Sequence, residues 1–194
     1  MNLHLIYNSM LTFIDSELLL LKLAPITKEN FGDVPDYCRS CLYWQSERDY
    51  DAKDMTKEKG HKKLGWLLQI QKETEYSGGF VAYHDGDPLG FVLWGHAKFF
   101  PKAREYRSGP LSEDAAFLAC LYIIKKEDRK KGLGTLILKA GISQIKRRGF
   151  NAIETFARKS SYDNPSGPLE FHLKNGFKIK RNNSDFPVVR LELK

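Results

Sequence analysis

The segment Arg129-Lys130-Lys131-Gly132-Leu133-Gly134-Thr135 carries the clearest chemistry in this 194-residue chain. It follows an apolar run over residues 117–124 and opens an apolar-periodic segment over residues 135–148. The first amides of a helix have no partner within it, and the aligned peptide dipoles make that end positive. Glycines allow close approach of a ligand to the backbone. Arg129, Lys130 and Lys131, with Lys125 and Lys126 nearby, add positive charge at the same end. The combination predicts a seat for a phosphate or pyrophosphate. Two sharper phosphate motifs are excluded. There is no Walker A run, and Gly132 and Gly134 are followed by Ile137 where a dinucleotide fingerprint wants a third glycine. The bland alternative is a helix start that uses glycine for a tight turn and binds nothing.

A second pair of reactive types is Cys38-Arg39-Ser40-Cys41. One CxxC is half a zinc site, no second CxxC exists, and His61 and Cys120 lack a supporting spacing. A thioredoxin-like role wants a βα start that is missing here. No metal is expected. Three cysteines in all argue against a disulfide framework and for a reducing compartment.

These residues need a scaffold. Residues 18–26 read as a strand closed by Pro25, with Thr27 as a helix N-cap and a short helix toward residues 37–44. A longer amphipathic helix fits residues 54–75, with Leu64, Leu67, Leu68 and Gln71 on one face. Residues 80–84 and 89–95 form a hairpin around Asp85-Gly86-Asp87-Pro88, and residues 99–110 form a loop rich in Pro, Arg and Lys. Residues 117–124 have the pattern of a strand buried on both faces. The 135–148 helix ends at Gly149, where a left-handed residue is wanted. A strand over 152–157, a loop over 160–168, a short helix over 169–174 ending at Asn175-Gly176, and strands over 177–180 and 188–193 complete the chain. Hairpins mixed with one β–α–β crossover predict an α/β (α+β) domain on a mixed sheet. Residues 1–17 read as an N-terminal extension and 18–194 as the domain.

The formal net charge is +7, with 42% hydrophobic and 28% charged residues. That suits a folded globular protein and favours anionic partners. The leucine run at 18–23 is too short to span a bilayer, and residues 3–14 lack the basic start and cleavage site of a signal peptide. A cytoplasmic location without membrane attachment is expected. The basic Lys146-Arg147-Arg148 suits its own helix end, and no nucleic-acid-binding motif accompanies it.

Arg129-x-x-Gly132-x-Gly134 resembles the pyrophosphate-binding motif of the GNAT superfamily of acyl-CoA N-acyltransferases, and so does its setting between an apolar strand and a helix. Phe171-His172-Leu173-Lys174-Asn175-Gly176-Phe177 resembles that family's Phe-Tyr-x-x-x-Gly-Phe segment, at the family's interval. The resemblance covers roughly residues 18–194. It implies a mostly antiparallel central sheet with helices on both faces and splayed central strands. It implies acetyl transfer from acetyl-CoA to an amine acceptor, small molecule or peptide, and often a homodimer. The cofactor's pyrophosphate is expected on Arg129, Lys130, Lys131, Gly132, Leu133, Gly134 and Thr135. Its pantetheine arm is expected along Leu121, Tyr122 and Ile123, with Asn164 as a further contact or else an Asx turn. The first helices would roof the acceptor pocket, with Tyr37, Tyr43, Trp44 and Trp66 as candidate walls.

Amide formation needs a neutral amine. Against an amine pKa of about 10.4, deprotonation at pH 7 costs about 4.6 kcal/mol. Glu113 and Asp114 are the candidate bases, with Glu154 a further one; each also reads as an ordinary turn or surface carboxylate. The family's usual acid is the Tyr of Phe-Tyr. Here it is His172, a histidine that either donates the proton or only packs. Tyr122 and Tyr162 are weaker substitutes. The departure leaves open a non-catalytic acyl-CoA sensor.

Overall fold

The computed structural model describes residues 21–46, 56–76, 78–159 and 166–194. The predicted extension over residues 1–17 lies outside them, as do Tyr162 and Asn164. Among the described residues seven strands form one sheet: β1 (Lys22–Pro25), β2 (Gly79–His84), β3 (Asp87–His96), β4 (Ala115–Ile123), β5 (Ala152–Phe156), β6 (Lys178–Arg181) and β7 (Val188–Glu192). Their order is β1-β2-β3-β4-β5-β7-β6. All neighbours are antiparallel except β4 and β5, which are parallel and joined by a helical crossover. The helices are α1 (Asp36–Ser40), α2 (Lys57–Thr74), α3 (Leu133–Lys146) and α4 (Leu169–Lys174). Among the described residues no helix is long and apolar enough to cross a membrane.

The hairpin turn is tighter than the four residues expected. His84 pairs with Asp87, and Asp85 and Gly86 take φ of 49° and 88°. Two left-handed residues match the right-handed twist of the flanking strands. Thr27 does not cap a helix. Its amide donates to Asn30 Oδ1 at 2.7 Å, and the chain makes a turn and a 3-10 turn, Phe31–Asp33, before α1. The cap expected there belongs instead to Thr56, which accepts from the Lys59 amide and starts α2. The face of α2 is also rotated from the one expected. It buries Lys63, Leu67 and Ile70, while Gln71 is exposed. The Lys63 stem lies inward because its ammonium donates to the Cys41 carbonyl at 2.7 Å. Periodicity cannot see such a partner from another segment.

Helices cover both faces of the sheet. On one, α3 packs Ile137, Leu138 and Ile145 against Trp94, Leu118 and Ile153. On the other, Trp44, Phe91, Phe100, Phe117 and Phe156 form an aromatic core. Residues 99–110, expected as a loop, supply part of that core. Two 3-10 turns, Ala97–Phe99 and Pro101–Glu105, seat the fully buried Phe100 edge-on against Phe117 at 5.0 Å. Gly149 follows α3 with φ of 81°, the left-handed value its position called for.

Candidate active site

The central pair of strands opens into a cleft. β4 and β5 pair at three positions only: Ala115 with Ala152, Ala116 with Ile153, and Phe117 with Glu154. Thr155 and Phe156 continue on β7 alone, opposite Val189 and Val188. From Leu118 onward the β5-facing edge of β4 therefore has no strand partner among the described residues. At the same place β4 carries a bulge: Leu93 pairs with Cys120 and Trp94 with Leu118, leaving Ala119 as the extra residue. A bulge bends its strand and shifts the alternation of side chains. Phe117, Ala119 and Cys120 all pack on the aromatic side, while Leu121 joins the α3 side.

The glycine-rich turn stands at the open end of this cleft. Gly132 is the N-cap of α3 with φ of 90°, and Lys130 is left-handed at 62°. The Thr135 and Leu136 amides both donate to the Gly132 carbonyl, at 2.9 and 3.2 Å. Thr135 therefore spends its amide within the helix, which narrows the expected anion seat to the turn and the first amides, those of Leu133 and Gly134. A Cβ on Gly134 would lie 3.4 Å from the Phe171 ring and 3.8 Å from Leu121, so the two sequence motifs pack on each other. Arg129 lies over the Tyr122 ring at 4.9 Å, and Lys131 reaches Asp128 at 3.3 Å.

His172 is sealed in α4, with 1% exposure. Its Nε2 lies 2.6 Å from the Ser166 carbonyl, and its ring packs on Phe171 and Phe177. Burial lowers its pKa to about 4, against a small opposing effect of the Ser166 bond. The ring is neutral at pH 7, Nε2–H donates to Ser166, and Nδ1 has no protein partner. A proton donor for turnover at neutral pH needs a higher pKa.

The carboxylates expected as bases stand at the closed end of the cleft, where β4 and β5 still pair. Asp114 is clasped by both terminal nitrogens of Arg190, at 2.8 and 3.1 Å, and this bond holds its pKa down. Glu113 is exposed. Glu154 has no exposed surface and is held by Lys180 at 2.7 Å, Arg190 at 2.9 Å, and the Ser112 amide and hydroxyl at 2.9 and 3.0 Å. Burial acts to raise its pKa, but these bonds outweigh it and the net shift is downward. Both bonded groups are held as anions in a β4–β5–β7 brace at the paired end of the cleft.

The acetyltransferase (GNAT) family model matches residues 40–177, most of the chain. The protein belongs to this acetyltransferase family. It is an acetyl-CoA-dependent acetyltransferase, not a binding protein alone. Solved structures are similar in fold at low identity. The PaiA N-acetyltransferase from Thermoplasma acidophilum, in complex with coenzyme A, is 18% identical over 89% of this chain and 98% of that one, with a TM-score of 0.56. An N-acetyltransferase from Staphylococcus aureus Mu50 is 18% identical over 90% and 99%, TM-score 0.58. Ard1 from Thermoplasma volcanium is 13% identical over 90% and 99%, TM-score 0.53. No curated protein matches the sequence.

The acetyltransferase keeps Cys38, Cys41 and Cys120 as free thiols. Burial pushes Cys38 and Cys120 up to about 12, so both are protonated and weakly nucleophilic. Among the described residues no three His, Cys, Asp or Glu side chains gather as a metal site.

A cavity of about 390 Å³ lies on the aromatic side, lined by Tyr43, Lys102, Glu105, Tyr106, Arg107, Ser108 and residues 183–186. It adjoins the open arm of the cleft, because Tyr106 stacks on Phe156 at 4.2 Å and on Trp44 at 5.6 Å. Of the aromatic walls named from sequence, Tyr43 lines it. Trp44 stands behind it, Trp66 donates to the Phe99 carbonyl at 3.1 Å, and Tyr37 is largely exposed. Tyr106, Arg107 and Asp185 escaped sequence reasoning, since they come from segments about eighty residues apart with no shared motif.

Proposed function

We propose that this acetyltransferase moves the acetyl group of acetyl-CoA to a primary amine, which attacks the thioester directly, within one domain over residues 18–194. One observation carries the reading: the unpaired edge of β4 leads to the positive start of α3, and a cavity of small-molecule size adjoins the same cleft through Tyr106 stacked on Phe156.

The residues present fit a coenzyme A donor. The Gly132 turn, the Leu133 and Gly134 amides and the charges of Arg129, Lys130 and Lys131 suit a pyrophosphate. The free edge at Leu121, Tyr122 and Ile123 suits the amides of a pantetheine arm, which would add to the sheet as a strand does. Thr155 Oγ1 and His172 Nδ1, both buried without a protein partner, mark polar capacity on the α3 side. Asn164 is kept as a candidate for holding the same arm. The donor supplies an acyl group already activated as a thioester.

The chain's own residues bind and orient. His172 acts as a positioning residue: its bond to the Ser166 carbonyl fixes the turn that enters α4, against which the Gly134 segment packs. Asp114 and Glu154 brace the closed end of the cleft, and the exposed Glu113 stays a candidate base. The acceptor reacts as free amine, so turnover climbs with pH toward the amine's own pKa.

Calorimetry with acetyl-CoA, followed by thiol release in the presence of an amine panel, tests this. Micromolar binding and amine-dependent release are expected. Absence of binding overturns the donor site. Binding without release for every amine overturns the transfer to amines.

A further inference from the structure

We infer that the acceptor is a zwitterionic α-amino acid with an apolar or aromatic side chain, seated between Arg107 and Asp185. The inference rests on the amine-transfer reading and deepens it. Four charged residues line the cavity beside the cleft: Lys102, Glu105, Arg107 and Asp185. Lys102 and Glu105 neutralise each other at 2.5 Å. Among the described residues, Arg107 and Asp185 are the lining charges whose side chains have no partner. One free guanidinium and one free carboxylate ask for a ligand that carries one anion and one ammonium.

The two loops that carry these charges are tied to each other. Asp185 sits in an Asx turn, where Asn183 Oδ1 accepts from the Asp185 and Phe186 amides at 3.0 Å each. The residue after Arg107, Ser108, is buried and donates its hydroxyl to the Phe186 carbonyl at 2.5 Å. Each charge is thus on the residue next to one end of a bond between two loops. An ammonium and a carboxylate on one carbon have the close spacing that this calls for. The Tyr43 and Tyr106 hydroxyls are bonded to each other at 2.9 Å, so these rings and Phe186 offer mainly apolar faces for a side chain.

Other acceptors fit less well. A polyamine would bring several ammonium groups beside Lys102 and Arg107, with one free carboxylate to meet them. A phosphorylated amine would bring a dianion to a single free guanidinium. The volume of about 390 Å³, open to solvent, suits a small molecule.

The test uses the whole chain with saturating acetyl-CoA and reads kcat/KM by thiol release. The acceptors are L-phenylalanine, L-phenylalaninamide, 2-phenylethylamine and spermidine, on the wild type, Arg107→Gln and Asp185→Asn. Calorimetry with acetyl-CoA on each protein reports that the fold and the donor site are intact. The amino acid is expected to exceed its amide and the plain amine by about tenfold or more, the worth of one charge-assisted bond. Arg107→Gln should shrink that ratio to about twofold or less, and Asp185→Asn should lower the turnover of every amine. Equal or better use of the amide, the plain amine or spermidine overturns the inference while leaving acetyl transfer standing. So does a preference that survives Arg107→Gln. Acetyl-CoA binding with no amine turned over overturns the transfer reading beneath it as well.

Discussion

Replacing Gly134 by glutamate should move stability and donor affinity in opposite directions. Gly134 is the second residue of α3 and its φ is not left-handed, so a side chain there meets no backbone strain. A helical glycine is worse than an ordinary helix former by about 0.5–1 kcal/mol, and an acidic residue in the first turn adds about 0.3–1 kcal/mol through the helix dipole. Against this stands contact with the Phe171 ring, 3.4 Å from the new Cβ. The sum is neutral to favourable by about 1 kcal/mol, a melting temperature unchanged or raised by up to about 4 °C. Affinity should fall. A carboxylate about 4 Å from one phosphate charge costs about 4 kcal/mol at an effective dielectric constant near 20, close to a thousandfold in Kd. Salt screening trims this, so a loss of at least about thirtyfold is expected. Thermal melts and acetyl-CoA calorimetry on the same protein read both quantities. A folded variant that binds acetyl-CoA as the wild type does would show that the pyrophosphate does not sit at the start of α3.

Three further perturbations are specific. Gly132→Ala meets open space but must hold φ of 90°, so it should cost about 1–2 kcal/mol and lower the melting temperature by about 2–8 °C; an unchanged melt would refute the left-handed N-cap. His172 has a folded pKa of about 4, below its unfolded value, so its contribution is intact above pH 6.5 and is lost as pH falls from there toward 4, by up to about 3 kcal/mol. Urea unfolding at pH 7 and pH 5 should show that loss in the wild type and not in His172→Gln, while the pH profile of kcat between 6 and 8 keeps its shape in the variant. A descending limb abolished by His172→Gln would restore the acid role. Arg190→Leu strands the buried Glu154 with fewer partners and should cost about 3–5 kcal/mol, much of it recovered by adding Glu154→Leu; a drop below 1 kcal/mol would show that the brace contributes little.

The local signals in the chain were strong where neighbours in sequence decide the structure. A continuous apolar run gave β4, glycine and base-rich residues followed by apolar periodicity gave the turn and α3, and Gly149 marked where that helix stops. Those features, with the Phe171–Phe177 segment at its interval, placed the fold class and suggested a donor motif, because helix starts, caps and crossovers are written in adjacent residues. Contacts between distant segments decided the rest. Whether Lys63 points in or out depends on the Cys41 carbonyl, and the width of the hairpin turn on the register of β3 with β2. Phe100 drew an apparently polar loop into the core. His172 had a residue type fit for acid catalysis, but only packing among Phe171, Phe177 and Ser166 revealed a neutral, sealed ring. The cavity is written nowhere in the sequence as a pattern, since a bond from Ser108 to Phe186 brings its two walls together across 78 residues. Burial and charge pairing are properties of neighbours in space, and the tertiary structure alone supplies those neighbours.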